Sequence, residues 1–325
     1  MNPFVTVIIR SMGRPSIERA LASLAGQTHR AIEVLVIDAT GGSHPRLATR
    51  CGEFPLRMVS LGRRLNRPQA GNAGLQHAHG EWLIFLDDDD FFGCEHIELL
   101  LECALATNVH TAYAGTRLLD ANDNVIGELN EPYARLKLLA GNFIQMGAML
   151  FHRSLLQRGC EFDEQMLLYQ DWDFWLQLSW HTHFAHSPKL TNNWRVHSGK
   201  SGAGTGANAN PALQREFEQR VKLKWRGRHI RLIRFVQDTS HRAAGLLVTR
   251  PARAARILRR ALLLMPNDPT LTNLLGLANF HSGDVTGAWY AFSAALVLLP
   301  NNESITRNLA RAADSRLRRT VGGVK

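Results

Sequence analysis

The chain has 325 residues, of which 45% are hydrophobic, 8% aromatic and 20% charged. That length holds two ordinary domains, and that composition excludes a disordered chain. The formal net charge of +10 is uneven: residues 211–325 carry 20 Lys and Arg against 7 Asp and Glu, so two functional units are expected, the second suited to an anionic partner.

Met1-Asn2-Pro3 leads straight into Phe4–Ile9, without the basic and long apolar segments of a secretory leader, and nowhere do eighteen apolar residues run together. The expected location is therefore the cytoplasm, with access to nucleotide-activated metabolites. Cys51, Cys94, Cys103 and Cys160 form no CxxC pair, so no zinc or redox motif is written and reduced, mostly buried thiols are expected.

In chain order, Val5–Ile9 is a β-branched run of strand length, and Pro15 and Ser16 open an amphipathic helix reaching Gln27. Glu33–Asp38 is a second apolar strand ending in a turn-rich stretch, Leu56–Leu61 a third, and Asn72–His79 a helix. Trp82–Leu86 is a fourth strand that runs into Asp87–Asp90. Apolar strands alternating with helices predict an α/β fold whose mostly parallel sheet is covered on both faces. Ligands bind beyond the carboxyl ends of such strands, where Asp38 and Asp87–Asp90 fall. Thr111–Arg117 and Asn124–Gly127 read as a hairpin, Phe143–Phe151 as an apolar stretch and Tyr169–Trp180 as a helix. Asn193–His197 leads into Gly199–Asn210, whose Gly, Ala and Asn content predicts a mobile segment able to cover a ligand.

A domain boundary is placed there, giving residues 1–208 and a basic helical domain of residues 209–325. In the latter, Pro266-Asn267 recurs as Pro300-Asn301, 34 residues on, with Leu275, Gly276, Ala288, Phe292 and Ala295 between. This pattern resembles the tetratricopeptide repeat over about residues 235–317, against the simpler reading of a plain helical bundle. The basic stretch Arg215–Arg234 reads first as an amphipathic helix with solvated arginines; peripheral contact with the inner face of an anionic membrane is the alternative. No nucleic-acid recognition motif is present.

Four adjacent carboxylates repel one another unless they are solvated or bound to a cation. Hard oxygen ligands after an apolar strand suit Mg²⁺ or Mn²⁺, which keep open positions for a diphosphate. Here a resemblance becomes specific. The strand Val5–Ile9 with its helix ending Gln27-Thr28, then Val34–Asp38, then Asn72-Ala73-Gly74 with Ala78–Leu86 and the aspartates, and finally Gln170–Leu176 resemble, in order, the family 2 glycosyltransferases of the GT-A fold.

The resemblance implies transfer of a sugar from a nucleotide-diphosphate donor to a glycan, lipid-linked or protein acceptor, by an inverting, metal-dependent displacement. Asp38 would lie at the nucleotide edge, Asp87 and Asp88 would face ribose and nucleotide, and Asp89 would hold the metal. Asp171 would be the catalytic base, its pKa raised by Trp172 and Trp175. His197 would be a metal or diphosphate contact, and Arg10, Arg14 or Arg67 would reach the diphosphate. The family commonly has an acid where Ala39 and Gln170 stand, an Arg at Gly71, and an aromatic near Arg10–Arg14. A nucleotidyltransferase, or a degenerate scaffold binding a protein partner through its repeats, remain the competing readings.

Overall fold

The structure is a computed structural model and describes residues 2–196 and 209–321, the side chains of 319–321 excepted. The Gly199–Asn210 segment, apart from its last two residues, and His197 lie outside the described residues.

Chain order runs β1 (Val5–Ser11), α1 (Ile17–Ala25), β2 (Ile32–Asp38), β3 (Arg50–Cys51), β4 (Phe54–Ser60), α2 (Arg67–His77), β5 (Trp82–Asp87), β6 (Phe91–Phe92) and α3 (His96–Thr107). It continues with β7 (Thr111–Leu119), β8 (Val125–Leu129), α4 (Arg135–Ala140), a 3-10 turn at Met146–Ala148, β9 (Met149–His152), α5 (Gln170–Ser179) and β10 (Ala185–Arg195). Five helices follow: α6 (Pro211–Ala244), α7 (Pro251–Leu264), α8 (Pro269–His281), α9 (Val285–Leu298) and α10 (Glu303–Val321). Contacts divide the chain into two compact units, residues 1–131 with 141–224, and residues 132–140 with 225–325. The division falls inside α6 rather than after residue 208, because the first turns of α6 belong to the first unit: Phe217 and Val221 are buried, and Lys224 pairs with Asp163 at 2.7 Å and Asp173 at 2.9 Å.

In the first unit the sheet order is β3-β4-β2-β1-β5-β9-β7-β10-β6, with β8 on β7. The run β4-β2-β1-β5 is parallel, while β9 lies antiparallel to both β5 and β7 and makes the sheet mixed. The central strands β1 and β2 are buried throughout, as continuous apolar runs require when both faces are covered. Gly71 and Gly74 let α2 lie against its neighbours. A Cβ on Gly74 would come within 2.4 Å of Ile8, and one on Gly71 within 2.7 Å of the buried Phe162 ring. The absence of an Arg at position 71 is therefore a packing requirement. All four cysteines are free; Cys51 and Cys160 are buried, Cys103 is half-buried and Cys94 exposed.

In the second unit α7 to α10 pack each on the next. Gly276 admits the Phe292 ring, since a Cβ there would lie 2.4 Å from it. Asp268 caps α8 through Leu271 N–H at 2.9 Å, and Asn302 caps α10 through Ile305 N–H at 3.0 Å. The sequence period thus marks a repeated helix start. No helix among the described residues is long and apolar enough to cross a membrane.

Candidate active site

Register builds the site. Across β1 and β5, Arg10 stands opposite Asp87, and across β1 and β2, Ser11 stands opposite Asp38. All four lie at carboxyl ends of parallel strands, where the chain leaves the sheet and side chains face an open edge.

The four aspartates diverge around a turn closed by Asp90 N–H on Asp87 C=O. Asp87 accepts from Arg10 Nε at 3.0 Å and Nη2 at 2.6 Å. Burial pushes its pKa up, but the attraction of Arg10 and Arg67 prevails and holds it below the usual carboxylate range. Asp88 is fully buried; it accepts from Ser11 Oγ at 2.9 Å and Met12 N–H at 2.8 Å, and pairs with Arg14. Burial raises its pKa against those contacts. Asp89 accepts from Arg14 Nη1 at 2.6 Å. Asp90 accepts from Gln145 Nε2 and Arg195 N–H, both at 3.0 Å. Burial, together with repulsion from Asp89 and Asp87, lifts its pKa well above the ordinary value. Asp90 thereby ties the end of β10 to the Gln145 turn.

Asp171 opens α5. The preceding Tyr169 has φ 56°, a left-handed conformation that strains a residue with a Cβ. The Asp171 carboxylate accepts from Trp172 N–H at 2.8 Å and Asn142 Nδ2 at 3.2 Å. Burial raises its pKa even against the fields of Arg10 and Arg67. Trp172 and Trp175, expected beside it, are buried at 1% and 0% exposure.

A cavity of about 280 Å³ brings these parts together: Arg10, Arg67, Asp87, Asp89 and Asp171 all line it, with Gln170 and Arg195. Asp38 and Asp88 are not among its lining residues. Asp38 instead organises the turn after β2, accepting from Thr40 N–H (2.8 Å), Thr40 Oγ1 (2.6 Å), Gly42 N–H (2.9 Å) and Ser60 Oγ (2.7 Å). Burial opposes its charge, but these donors outweigh it and lower its pKa. Asn142, Gln145, Tyr169 and Arg195 also line the cavity and were not singled out from sequence.

A lowered folded-state pKa contributes stability that is present above the unfolded pKa and lost as pH falls through the folded one. Asp38→Asn is therefore expected to cost about 1–3 kcal/mol in urea unfolding at neutral pH. The gap from wild type should close on acidification below about pH 4, the ordinary Asp range.

Among the described residues no three His, Cys, Asp or Glu side chains converge as a ready-made metal cage. Mg²⁺ and Mn²⁺ do not need one in nucleotide sites, where one or two carboxylates suffice and phosphate oxygens and water complete the shell. Asp87 and Asp89, facing the cavity, fit that sparse donor set.

Residues 6–158 match the family described as "Glycosyl transferase family 2". The chain is 27% identical over 188 residues to the uncharacterized glycosyltransferase YwdF of Bacillus subtilis (strain 168), covering 53% of this chain and 67% of that protein. It is 22% identical over 166 residues to the UDP-Glc:alpha-D-GlcNAc-diphosphoundecaprenol beta-1,3-glucosyltransferase WfgD of Escherichia coli, covering 50% of this chain and 64% of that one. Both relatives are thus matched over about two thirds of their length. Among solved structures, S. aureus TarS 1–349 in complex with UDP-GlcNAc shares the fold, with a TM-score of 0.51 at 14% identity over 97% of this chain and 92% of that chain. Residues 6–158 of the N-terminal unit thus carry the match to the family 2 glycosyltransferases, and the unit has the helix-flanked mixed sheet of the GT-A fold.

Proposed function

We propose that the chain transfers a sugar from a nucleoside-diphosphate donor to an acceptor hydroxyl, with inversion, using Asp171 as base. The observation that carries this is the sharing of one cavity by Asp171, Asp87 and Asp89, which come from separate stretches of chain. Asp171 takes the proton of the attacking hydroxyl; its raised pKa brings its basicity closer to working pH. Asp89, with Asp87, would hold Mg²⁺ or Mn²⁺, and such an ion neutralises charge on a leaving diphosphate. Asp88 and Asp90 hold the surrounding loops in place, and Asp38 fixes the neighbouring turn at the nucleotide edge. His197 remains a proposed contact to metal or diphosphate.

The acceptor is a glycan, a lipid-linked sugar or a protein; the name of the Escherichia coli relative supports the lipid-linked class. The second unit is proposed as a tetratricopeptide-like array that binds a protein partner, with the enzyme in the cytoplasm or against the inner face of a membrane. A nucleotidyltransferase would need free backbone N–H groups after β1 to cradle phosphate. Here Met12 N–H is committed to Asp88, and Gly13 N–H to Ser11 Oγ at 3.0 Å.

A thermal-shift screen of nucleoside-diphosphate sugars, with Mn²⁺ or EDTA, tests the reading. A donor at a hundred times its Kd adds about 2.7 kcal/mol, which raises Tm by roughly 5 °C or more. The increment due to Mn²⁺ should vanish in Asp89→Asn. A screen in which no donor raises Tm under either condition removes the proposal.

A further inference from the structure

We propose that the first turns of α6 complete the acceptor side of the active site, with Gln214 contacting a sugar acceptor and Lys224 as the positioning residue that seats the helix. The inference rests on the transferase reading and deepens it.

Gln214 lines the cavity with Tyr169 and Asp171, although it lies beyond residues 6–158, which carry the family match. Gln214, Phe217, Val221 and Lys224 follow one another at helical spacing and share one face of α6. Phe217 is 4% exposed and Val221 0%, so the middle of that face is packed. Its far end is pinned, since Lys224 Nζ donates to Asp163 at 2.7 Å and to Asp173 at 2.9 Å. Burial opposes the charge of Lys224, but the two carboxylates outweigh it and raise its pKa. Asp173 is fully buried on α5, the helix that carries Asp171, and also accepts from Gln177 Nε2 at 2.9 Å.

The contacts between these two ends fix the direction of approach. Arg220 Nη1 donates to Gln165 C=O at 3.2 Å. The Tyr169 phenol has its pKa raised by burial and by the charges of Glu218 and Asp171. From Lys224 back to Gln214, α6 thus follows the segment from Asp163 to Tyr169. A helix rises about 1.5 Å per residue, so Gln214 stands roughly 15 Å along the axis from the Lys224 anchor. It enters the cavity on the Tyr169 side, next to the start of α5.

That is the acceptor side. In an inverting displacement the attacking hydroxyl meets the anomeric carbon opposite the leaving diphosphate, and the base touches that hydroxyl. Asp171 therefore marks the acceptor, and Asp87 with Asp89 the diphosphate. A Gln amide both donates and accepts, which suits neighbouring hydroxyls of a sugar. Trp194 and Tyr169 line the same cavity. Aromatic side chains beside a polar amide fit a ring with apolar C–H faces and polar edges better than the lone hydroxyl of Ser or Thr.

The test follows release of nucleoside diphosphate by the full-length chain with Mn²⁺ and UDP-glucose, UDP-N-acetylglucosamine or GDP-mannose. The acceptor probes are octyl glycosides of glucose, galactose, mannose and N-acetylglucosamine, and a peptide rich in Ser and Thr. At least one glycoside is expected to accelerate release by the wild type, and the peptide is not. Gln214→Ala should raise KM for that glycoside about tenfold, the size of one lost hydrogen bond, with the donor Kd unchanged. Lys224→Met should raise the same KM and lower kcat, each about tenfold, because Gln214 and α5 lose a shared anchor. Lys224→Arg keeps the charge and should restore most of both. Each variant is assayed below its own melting temperature. An unchanged glycoside KM in Gln214→Ala, a peptide preferred to every glycoside, or release that no glycoside accelerates would overturn the acceptor assignment and leave donor binding, and with it the transferase reading, standing. Wild-type kcat and KM in Lys224→Met would overturn its positioning role, even if the melting temperature fell. A wild type that binds none of the donors removes the transferase reading, and the acceptor assignment with it.

Discussion

Asp171→Asn is expected to lower transfer about a thousandfold, within the usual range for removing a general base. Asn keeps the size of the side chain and an oxygen for Trp172 N–H, so the melting temperature should hold while kcat falls. The loss should appear equally in kcat and kcat/KM, as for a contact made only in the transition state. The pH profile gives a second signature. A base with a raised pKa is inactive when protonated, so the acid limb of kcat/KM in wild type should lie above the ordinary carboxylate value of about 4. Binding of donor should be retained across that limb, because Asp87 and Asp89 do not depend on Asp171. Full activity in the Asn variant would end the assignment, whereas absence of transfer in the wild type would favour the scaffold reading.

Trp175→Ala is expected to cost about 3–5 kcal/mol in unfolding free energy, the range for deleting a buried aromatic. Trp175 is 0% exposed and packs edgewise on Phe151 at 6.4 Å and tilted on Phe174 at 5.5 Å. Its indole N–H donates to Ile144 C=O at 3.1 Å. That bond steadies the stretch carrying Asn142, which in turn holds Asp171. The variant should therefore lose activity beyond its loss of folded population. Trp175→Phe, which restores most of the volume but not the N–H, separates the two effects: stability largely returns while kcat remains low. Urea unfolding with parallel transfer assays reads both quantities.

The parallel strands were legible because burial on both faces demands unbroken apolar runs, and Val5–Ile9, Glu33–Asp38 and Trp82–Leu86 supply them. The antiparallel insertion of β9 was not, since a short apolar segment carries no sign of direction. Most of β10 was also missed. Ser187, Thr191, Asn192 and Asn193 are buried in it, and Asn192 bonds Thr116 and Gln145; a strand stabilised by buried polar pairs shows no hydrophobic alternation. At the site, the aspartate cluster and Asp171 stood out by residue type and context. Their partners did not. Asn142 and Gln145 are ordinary amides until the fold carries them to a carboxylate, and the strain at Tyr169 has no counterpart in composition. The boundary expected after residue 208 followed a change in composition, whereas the division follows contacts made by α6.

Crowding four like charges into consecutive positions is tolerable here because the backbone turn sends each in its own direction. One faces a guanidinium across the sheet, one braces the loop after β1, one pairs with Arg14 beside the cavity and one anchors a distant strand. Neighbours in the string are thus strangers in space. Two sequences that agree on the letters around this turn need not agree on ligands, because half of what the letters record is architecture.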